Sequence, residues 1–173
     1  EAMEVETKEF SKERLEENLV NEKTSFTCTG SISVEGETIH CSNISGHGTQ
    51  NFVEVISNSC NPAFIQIGQM LGAGKFRQYY QGFGFSDKTG IDLPGEAEDS
   101  FWKEGKMGGV DLAVASFGQN FTITPIQMIT ACAAVSNGGY VVQPHVVSKI
   151  TDSKGNVIKS VDKKIKRQVI SDD

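Results

Sequence analysis

The clearest local signal in the sequence is a helix with recognisable boundaries at both ends, between Thr124 and Gly139. Thr124 is a favoured N-cap residue, and Pro125 suits the first helical position, where its missing N–H removes no hydrogen bond. Asn137 and the glycines that follow it end the helical pattern. The residues expected to pack closely are Ile126, Ile129, Thr130, Ala133 and Ala134. These residues predict a buried helix, which needs a globular domain around it.

Composition agrees with one globular domain and excludes several other classes. The chain has 173 residues, of which 38% are hydrophobic, so a sizeable core is possible. Its net charge of -6 argues against nucleic-acid binding, which usually needs a basic face. No apolar run approaches the roughly 20 residues of a membrane span, and the acidic start is unlike a signal peptide. We therefore expect this chain to be soluble, with no nucleic-acid partner and no membrane contact.

Periodicity predicts several further helices. The charged stretch 8–20 has the pattern of a surface helix, and residues 52–138 read as a helical lobe. Within that lobe, one helix begins near Phe52 and a second runs from Pro62 until the sequence "GAGK" at 72–75 breaks it. A short helix then ends at one of the glycines that follow, and an ordered loop comes after it.

Strand patterns flank the lobe on both sides. Residues 26–42 alternate around Gly36 as a β-hairpin would, and residues 139–161 predict a second hairpin that turns at 154–156. The whole chain, 1–173, is thus predicted to be a single α+β domain, rich in helix and with peripheral hairpins.

Two of the four cysteines, Cys28 and Cys41, bracket the first predicted hairpin. A disulfide between them would staple its strands in an oxidising compartment, and free thiols are the alternative. A zinc site formed with His40 and His47 is a weaker interpretation, because the spacing matches no common zinc motif. In addition, adjacent His40 and Cys41 would point to opposite faces of a strand. We therefore expect no metal. The other two cysteines, Cys60 and Cys132, are predicted to be buried thiols.

The segment "SNSCNPAF", residues 57–64, allows two interpretations. In the first, Asn61 caps a helix whose first residue is Pro62. In the second, the hydroxyl of Ser59 and the amide of Asn61 serve a reaction. Local sequence alone favours capping, so the decision depends on the rest of the chain.

Five separated blocks carry a family resemblance: "CTG", "IHC", "GHGTQNFVEVISNSCNPAF", "TGIDLPGE" and "ASFGQNFTITPIQMITACAAVSNGGYVVQPHVV". In this order they resemble the transpeptidase domain of class B penicillin-binding proteins, particularly the division and sporulation types of Gram-positive bacteria. The similarity covers roughly residues 15–173. It implies the helix-rich lobe of the penicillin-binding protein and serine β-lactamase fold.

The resemblance implies D,D-transpeptidation of peptidoglycan, in which a serine of an S-x-x-K motif attacks a D-Ala-D-Ala stem peptide. Ser59-Cys60-Asn61 matches the second family signature, S-x-N. Ser59 would belong to the proton relay, and Asn61 would donate to the substrate's peptide carbonyl. The partners implied for the parent protein are stem peptides, β-lactams and proteins of division or sporulation. The parent is expected to be membrane-anchored and to act at the extracytoplasmic face of the membrane, with no cofactor.

Other signature-like strings depart from the family pattern. In the family's spacing, the nucleophilic serine and its lysine would fall near Glu4 and Thr7, which are neither serine nor lysine. Ser11 begins a similar string, but Arg14 stands where lysine is needed. Ser160-Val161-Asp162-Lys163 matches S-x-x-K but lies in a polar hairpin end, and "KTG" at 88–90 reads as a turn. We therefore expect a fragment without the nucleophile and the terminal K-T-G, inactive alone. The alternatives are a non-catalytic scaffold or partner-binding module and, less favoured, a Cys/His metal-binding domain.

Overall fold

The computed structural model of the chain describes residues 17–97 and 107–171. These residues group into two compact units. The first unit contains residues 17–76 and 107–121, and the second contains residues 77–97 and 122–171. The sequence predicted one domain, and we describe the two units separately.

The first unit combines four short strands with helices. Its elements are β1 (Ser25–Cys28), β2 (Ser31–Val34), β3 (Glu37–His40), β4 (Gly48–Asn51), α1 (Phe52–Ser57), the first part of α2 (Asn61–Gly82) and α3 (Gly109–Ser116). β2 and β3 form the predicted hairpin around Gly36, with Val34 paired to Glu37. β1 instead pairs antiparallel with β4, so that Ser25 lies opposite Asn51. Cys28 therefore belongs to a different sheet from the hairpin that it was predicted to staple.

The core of the first unit consists of two clusters of buried side chains. The cluster that concerns the functional site contains Val20, Phe26, Cys28, Cys41, Val55, Cys60 and Ala63. The second is built around Val34, Ile65 and Ala113. Helix α2 thus contributes Cys60 and Ala63 at its start to one cluster and Ile65 to the other. Burial on both sides fixes the beginning of this helix in place.

Helix α2 is interrupted where the sequence predicted a break. Gly72 has φ 79° and ψ 154°, which lie outside the helical range, and glycine adopts such values without a steric penalty. The helix resumes after this residue and ends at Gly82. The predicted break and the predicted end are both confirmed.

The second unit contains one helix besides the last turns of α2. Its further elements are α4 (Pro125–Ser136), β5 (Tyr140–Val142), β6 (Lys149–Thr151), β7 (Val157–Ser160) and β8 (Ile165–Gln168). β6 and β7 form the predicted hairpin around residues 154–156. β5 pairs with β8 instead, with Tyr140 opposite Gln168, so residues 139–161 are not one continuous hairpin.

Helix α4 has the predicted ends and part of the predicted buried face. Thr124 Oγ1 accepts a hydrogen bond from the Gln127 N–H, and Pro125 occupies the first turn. The buried residues are Gln127, Thr130, Ala131 and Ala134, which follow one helical stripe. Ile129 is 64% exposed and Cys132 is exposed, since both lie off that stripe. Thr130 and Ala134 are buried as predicted, whereas the predictions of a buried Ile129, Ala133 and Cys132 are wrong.

Part of the predicted surface helix at 8–20 lies outside the described residues. Residues 17–20, which are described, form turns and bends. No helix in the described ranges is both long enough and apolar enough to cross a lipid bilayer.

Candidate functional site

The candidate site is the tight turn that joins α1 to α2. The Ser59 N–H donates to the Ile56 carbonyl at 3.1 Å, and the Cys60 N–H donates to the Val55 carbonyl at 3.1 Å. These two bonds reverse the chain direction within a few residues. Ser59 adopts φ 47°, in the left-handed region, which costs a non-glycine residue of order 1 kcal/mol or more. Such strain persists only where neighbouring packing fixes the backbone, and the fully buried Cys60 supplies that packing.

The predicted capping role of Asn61 is wrong by one position. Helix α2 begins at Asn61, and the Cys60 carbonyl accepts the first helical bond from the Phe64 N–H at 3.1 Å. Cys60 therefore occupies the N-cap position. Because Asn61 already has helical geometry, its side chain does not cap the helix.

The Asn61 side chain instead binds the hairpin. Its Nδ2 donates to the main-chain carbonyl of His40, the last residue of β3, at 3.2 Å. A primary amide carries two N–H groups, and no described residue accepts the second. The Ser59 side chain is exposed, and its hydroxyl likewise has no hydrogen-bond partner within residues 17–97 and 107–171. The turn thus leaves one hydroxyl and one amide N–H available to a ligand.

Cys60 lies between these two residues and points into the protein. Its sulfur, those of Cys28 and Cys41, and a ring nitrogen of His47 all lie within 4.8 Å of one another. Cys41 Sγ and His47 Nδ1 are 3.5 Å apart. We call these four residues the thiol-imidazole cluster. All three cysteines are buried, with at most 4% of each exposed.

The cluster differs from both sequence interpretations of the cysteines. Cys28 and Cys41 are free thiols, so the predicted disulfide is not formed in the structure. Cys28 belongs to the β1–β4 sheet, so the two cysteines are not opposite each other on one hairpin. His40 is exposed on β3 and lies outside the cluster. Cys60, which was predicted only as a buried thiol, takes the place that the zinc interpretation gave to His40.

The surroundings of the cluster shift the pKa values of two of its thiols in opposite directions. Burial raises the pKa of Cys28, but hydrogen bonds from the Gly30 N–H, the His47 N–H, the His47 ring and the Cys60 thiol outweigh burial and lower the pKa to about 6. Burial raises the pKa of Cys60 to about 11, and its interaction with Cys28 adds to this rise. The Cys28 thiol is therefore the more acidic of this pair.

Gln50 is a further residue of the site that sequence patterns did not identify. It is only 3% exposed, and its Oε1 accepts from Asn58 Nδ2 at 3.0 Å. Its Nε2 is buried and has no nitrogen or oxygen acceptor among the described residues, but it interacts with the Cys60 sulfur. The only hint in the sequence is a glutamine in the strand just before α1.

The other signature-like strings that the structure describes belong to the second unit. Residues 88–90 form a loop, as predicted, in which the Thr89 N–H and hydroxyl both donate to Glu96 Oε1 at 2.6 Å. Ser160 is the last residue of the exposed strand β7, as the interpretation of a chance S-x-x-K requires. The positions near Glu4, Thr7 and Ser11 that the family pattern would give to the nucleophile and its lysine lie outside the described residues.

Comparison with known proteins places this chain in a family. Residues 14–173 match the family model described as the penicillin-binding protein transpeptidase domain. Stage V sporulation protein D of Bacillus subtilis is 38% identical over 161 residues, which cover 92% of this chain and 25% of the relative. Peptidoglycan D,D-transpeptidase MrdA of Acinetobacter baumannii is 38% identical over 112 residues, covering 59% of this chain and 16% of the relative.

Solved structures show the same fold. Penicillin binding protein 3 from Mycobacterium tuberculosis, complexed with aztreonam, has a TM-score of 0.81 at 24% identity, covering 91% of this chain and 35% of that one. The D,D-transpeptidase domain of a peptidoglycan glycosyltransferase from Eggerthella lenta has a TM-score of 0.78 at 23% identity, covering 92% and 42%.

The chain belongs to the penicillin-binding protein transpeptidase domain family. Its α+β architecture of helices with small strand pairs is that of the family's solved structures. It spans about a quarter of the length of stage V sporulation protein D and a smaller share of MrdA.

Proposed function

We propose that this chain is the part of a peptidoglycan D,D-transpeptidase domain that supplies the S-x-N residues of the active site. One observation carries the proposal: at one strained turn, the Ser59 hydroxyl and one Asn61 amide N–H have no partner among the described residues, and the residue between them is buried. Two polar groups held two residues apart by a packed core can be aimed into one cleft. A turn that served only to cap α2 would have used the Asn61 side chain for capping.

The two side chains have different roles in the proposed reaction. The nucleophilic serine attacks the D-Ala-D-Ala carbonyl carbon, its proton passes to the departing amine, and the bond to the last D-alanine breaks. The Ser59 hydroxyl both donates and accepts hydrogen bonds, so it can relay that proton. The second N–H of Asn61 donates to a peptide carbonyl of the stem peptide and orients it. An amine from a neighbouring stem peptide then resolves the acyl-enzyme.

The nucleophile is proposed to lie outside this sequence. Of the two S-x-x-K strings in the sequence, Ser160 to Lys163 follows an exposed strand, and Ser100 to Lys103 lies outside the described residues. We propose that the isolated chain is inactive. β-Lactams mimic the stem peptide, and the complete protein is proposed to bind them at the extracytoplasmic face of the membrane, in division or sporulation.

Reaction with a labelled penicillin tests this proposal. The isolated chain and the complete gene product are each incubated with the label and analysed by intact mass and peptide mapping. We expect no adduct on the isolated chain and one acylated serine in the complete protein, in a segment outside this sequence. An acylated Ser59, Ser100 or Ser160 would contradict the proposal, and so would a complete protein that forms no adduct, since a non-catalytic module behaves in that way.

A further inference from the structure

We infer that Cys28, Cys41, His47 and Cys60 form a binding site for one zinc ion, which holds the S-x-N turn in place. The cluster combines three sulfurs and one imidazole nitrogen, a common ligand set for structural zinc. Three segments of the first unit contribute ligands: the end of β1, the stretch between β3 and β4, and the residue before α2. Metal binding itself does not depend on the proposed function; only its effect on the active site rests on that proposal.

The distances fit a tetrahedral ion. With a zinc–sulfur bond of about 2.3 Å, two sulfur ligands of a tetrahedral site lie roughly 3.8 Å apart. The four ligand atoms lie within 4.8 Å of one another, and Cys41 Sγ is already 3.5 Å from His47 Nδ1. The largest separation therefore needs to shrink by only about 1 Å, which small side-chain rotations can provide. Four protein ligands close the coordination sphere, so the ion is structural and offers no open position to a substrate.

Groups around the sulfurs are arranged to support thiolates. The N–H groups of Gly30 and His47 both donate to the Cys28 sulfur. The Ala63 N–H interacts with the Cys60 sulfur, and the otherwise unsatisfied Gln50 Nε2 lies against the same atom. Donors that surround metal-bound sulfurs orient the ligands and stabilise their negative charge. The buried amide of Gln50 gains a strong acceptor once Cys60 is a metal-bound thiolate.

A disulfide accounts for this arrangement less completely. Any pairing among three clustered cysteines leaves one thiol over and makes no use of His47. Soft thiolate ligands with one imidazole favour zinc over magnesium or calcium. Since Cys60 lies between Ser59 and Asn61, a bond from its sulfur to the ion fixes the backbone from which both active-site side chains project.

Metal analysis of the purified protein tests the inference, with variants matched to the ligands. The chain is expressed without added chelator, and its zinc is measured by mass spectrometry and by release to a colorimetric chelator. We expect about one zinc per chain in the unmodified protein and a loss of at least tenfold in Cys28→Ser, Cys60→Ser and His47→Ala. Cys132→Ser and His40→Ala are the controls, because they remove a cysteine and a histidine outside the cluster, and they should keep the metal.

Cobalt provides a measurement that needs no variant, in case the ligand variants fail to fold. The metal is removed and Co²⁺ is added to the unmodified protein. We expect intense thiolate-to-cobalt charge-transfer bands and visible bands typical of tetrahedral cobalt, with saturation near one equivalent and displacement by zinc. The inference is overturned by unmodified protein that has no zinc and shows no such bands, by a disulfide mapped to Cys28 and Cys41 in metal-free native protein, or by equal metal loss in the control variants. None of these readouts uses penicillin acylation, so failure here leaves the proposed function to its own test.

Discussion

Asn61 Nδ2 donates to the main-chain carbonyl of His40 at 3.2 Å, which joins the start of α2 to the end of the β2–β3 hairpin. The bond connects elements that lie 21 residues apart in sequence. It also explains why an asparagine placed as if to cap a helix does not cap it: the side chain already has an acceptor across the fold.

Removal of this bond should weaken the first unit measurably. We expect Asn61→Ala to lower the free energy of unfolding by about 1 kcal/mol, the usual net contribution of one hydrogen bond. Asn61→Asp should cost more, because a carboxylate oxygen would then face the His40 carbonyl oxygen. Urea titrations followed by circular dichroism provide the measurement. Gln69→Ala, an exposed change on the same helix, is the control and should shift stability by less than about 0.5 kcal/mol. Equal effects at Asn61 and Gln69 would show that the bond contributes nothing.

Gln127 connects α4 to the loop after α2 within the second unit. The residue is 2% exposed, and its Nε2 donates to the carbonyls of Asp87 at 2.9 Å and Phe85 at 3.3 Å. Its Oε1 accepts from the Thr124 N–H at 2.8 Å. We expect Gln127→Met to lower the free energy of unfolding by about 2 to 4 kcal/mol, because it leaves several buried polar groups without partners. Gln119→Met, on an exposed turn, is the matched control and should change stability little. If urea titration gave Gln127→Met an equally small change in the free energy of unfolding, Gln127 would not be the stabilising connection between α4 and the loop.

Glu96 should make the second unit sensitive to acid. Burial raises the pKa of its carboxyl, but hydrogen bonds from Thr89 and Gly90 and the charge of Lys166 outweigh burial and hold the pKa below its ordinary 4.5. A carboxyl with a lowered pKa in the folded state stabilises the fold above its unfolded pKa. That contribution is lost as the pH falls through the folded pKa.

We therefore expect the urea midpoint to fall more steeply in the unmodified protein than in Glu96→Gln between about pH 5 and about pH 3. Asp162→Asn, an exposed change in the same unit, should retain the steep fall. Parallel curves for the unmodified protein and Glu96→Gln would exclude this carboxylate as the cause.

The comparison of sequence with structure separates local signals from those that depend on folding. The cap at Thr124, the break at Gly72 and the turn at Gly36 are encoded in a few adjacent residues, and all three were predicted. The β1–β4 pairing was not, because Ser25 and Asn51 lie on opposite sides of the β2–β3 hairpin in the sequence and no local pattern links them. The exposure of Ile129 could not be predicted either, because it depends on which stripe of α4 packs against its neighbours.

The residues of the candidate site also divide into those with a local sequence signal and those brought together only by the fold. The S-x-N residues could be recognised because their spacing is a local motif. The thiol-imidazole cluster could be only half recognised: Cys28, Cys41 and His47 were considered together, but Cys60 joins them through the tertiary fold. The sequence gives little indication of Gln50, because its importance lies in the burial of its amide next to Cys60.

Ser59 provides the sharpest test of the account's central claim, which is that this turn supplies active-site residues of a transpeptidase. The measurement is the second-order rate constant for acylation of the complete gene product by a fluorescent penicillin. Ser59→Ala is compared with Ser57→Ala, which removes an exposed hydroxyl that donates to the Val53 carbonyl of its own helix. Neither change should alter stability by more than about 0.5 to 1 kcal/mol. The account predicts a loss of about 10²-fold or more for Ser59→Ala, the typical contribution of positioned proton transfer, and little change for Ser57→Ala. Equal acylation rates for the two variants would contradict it.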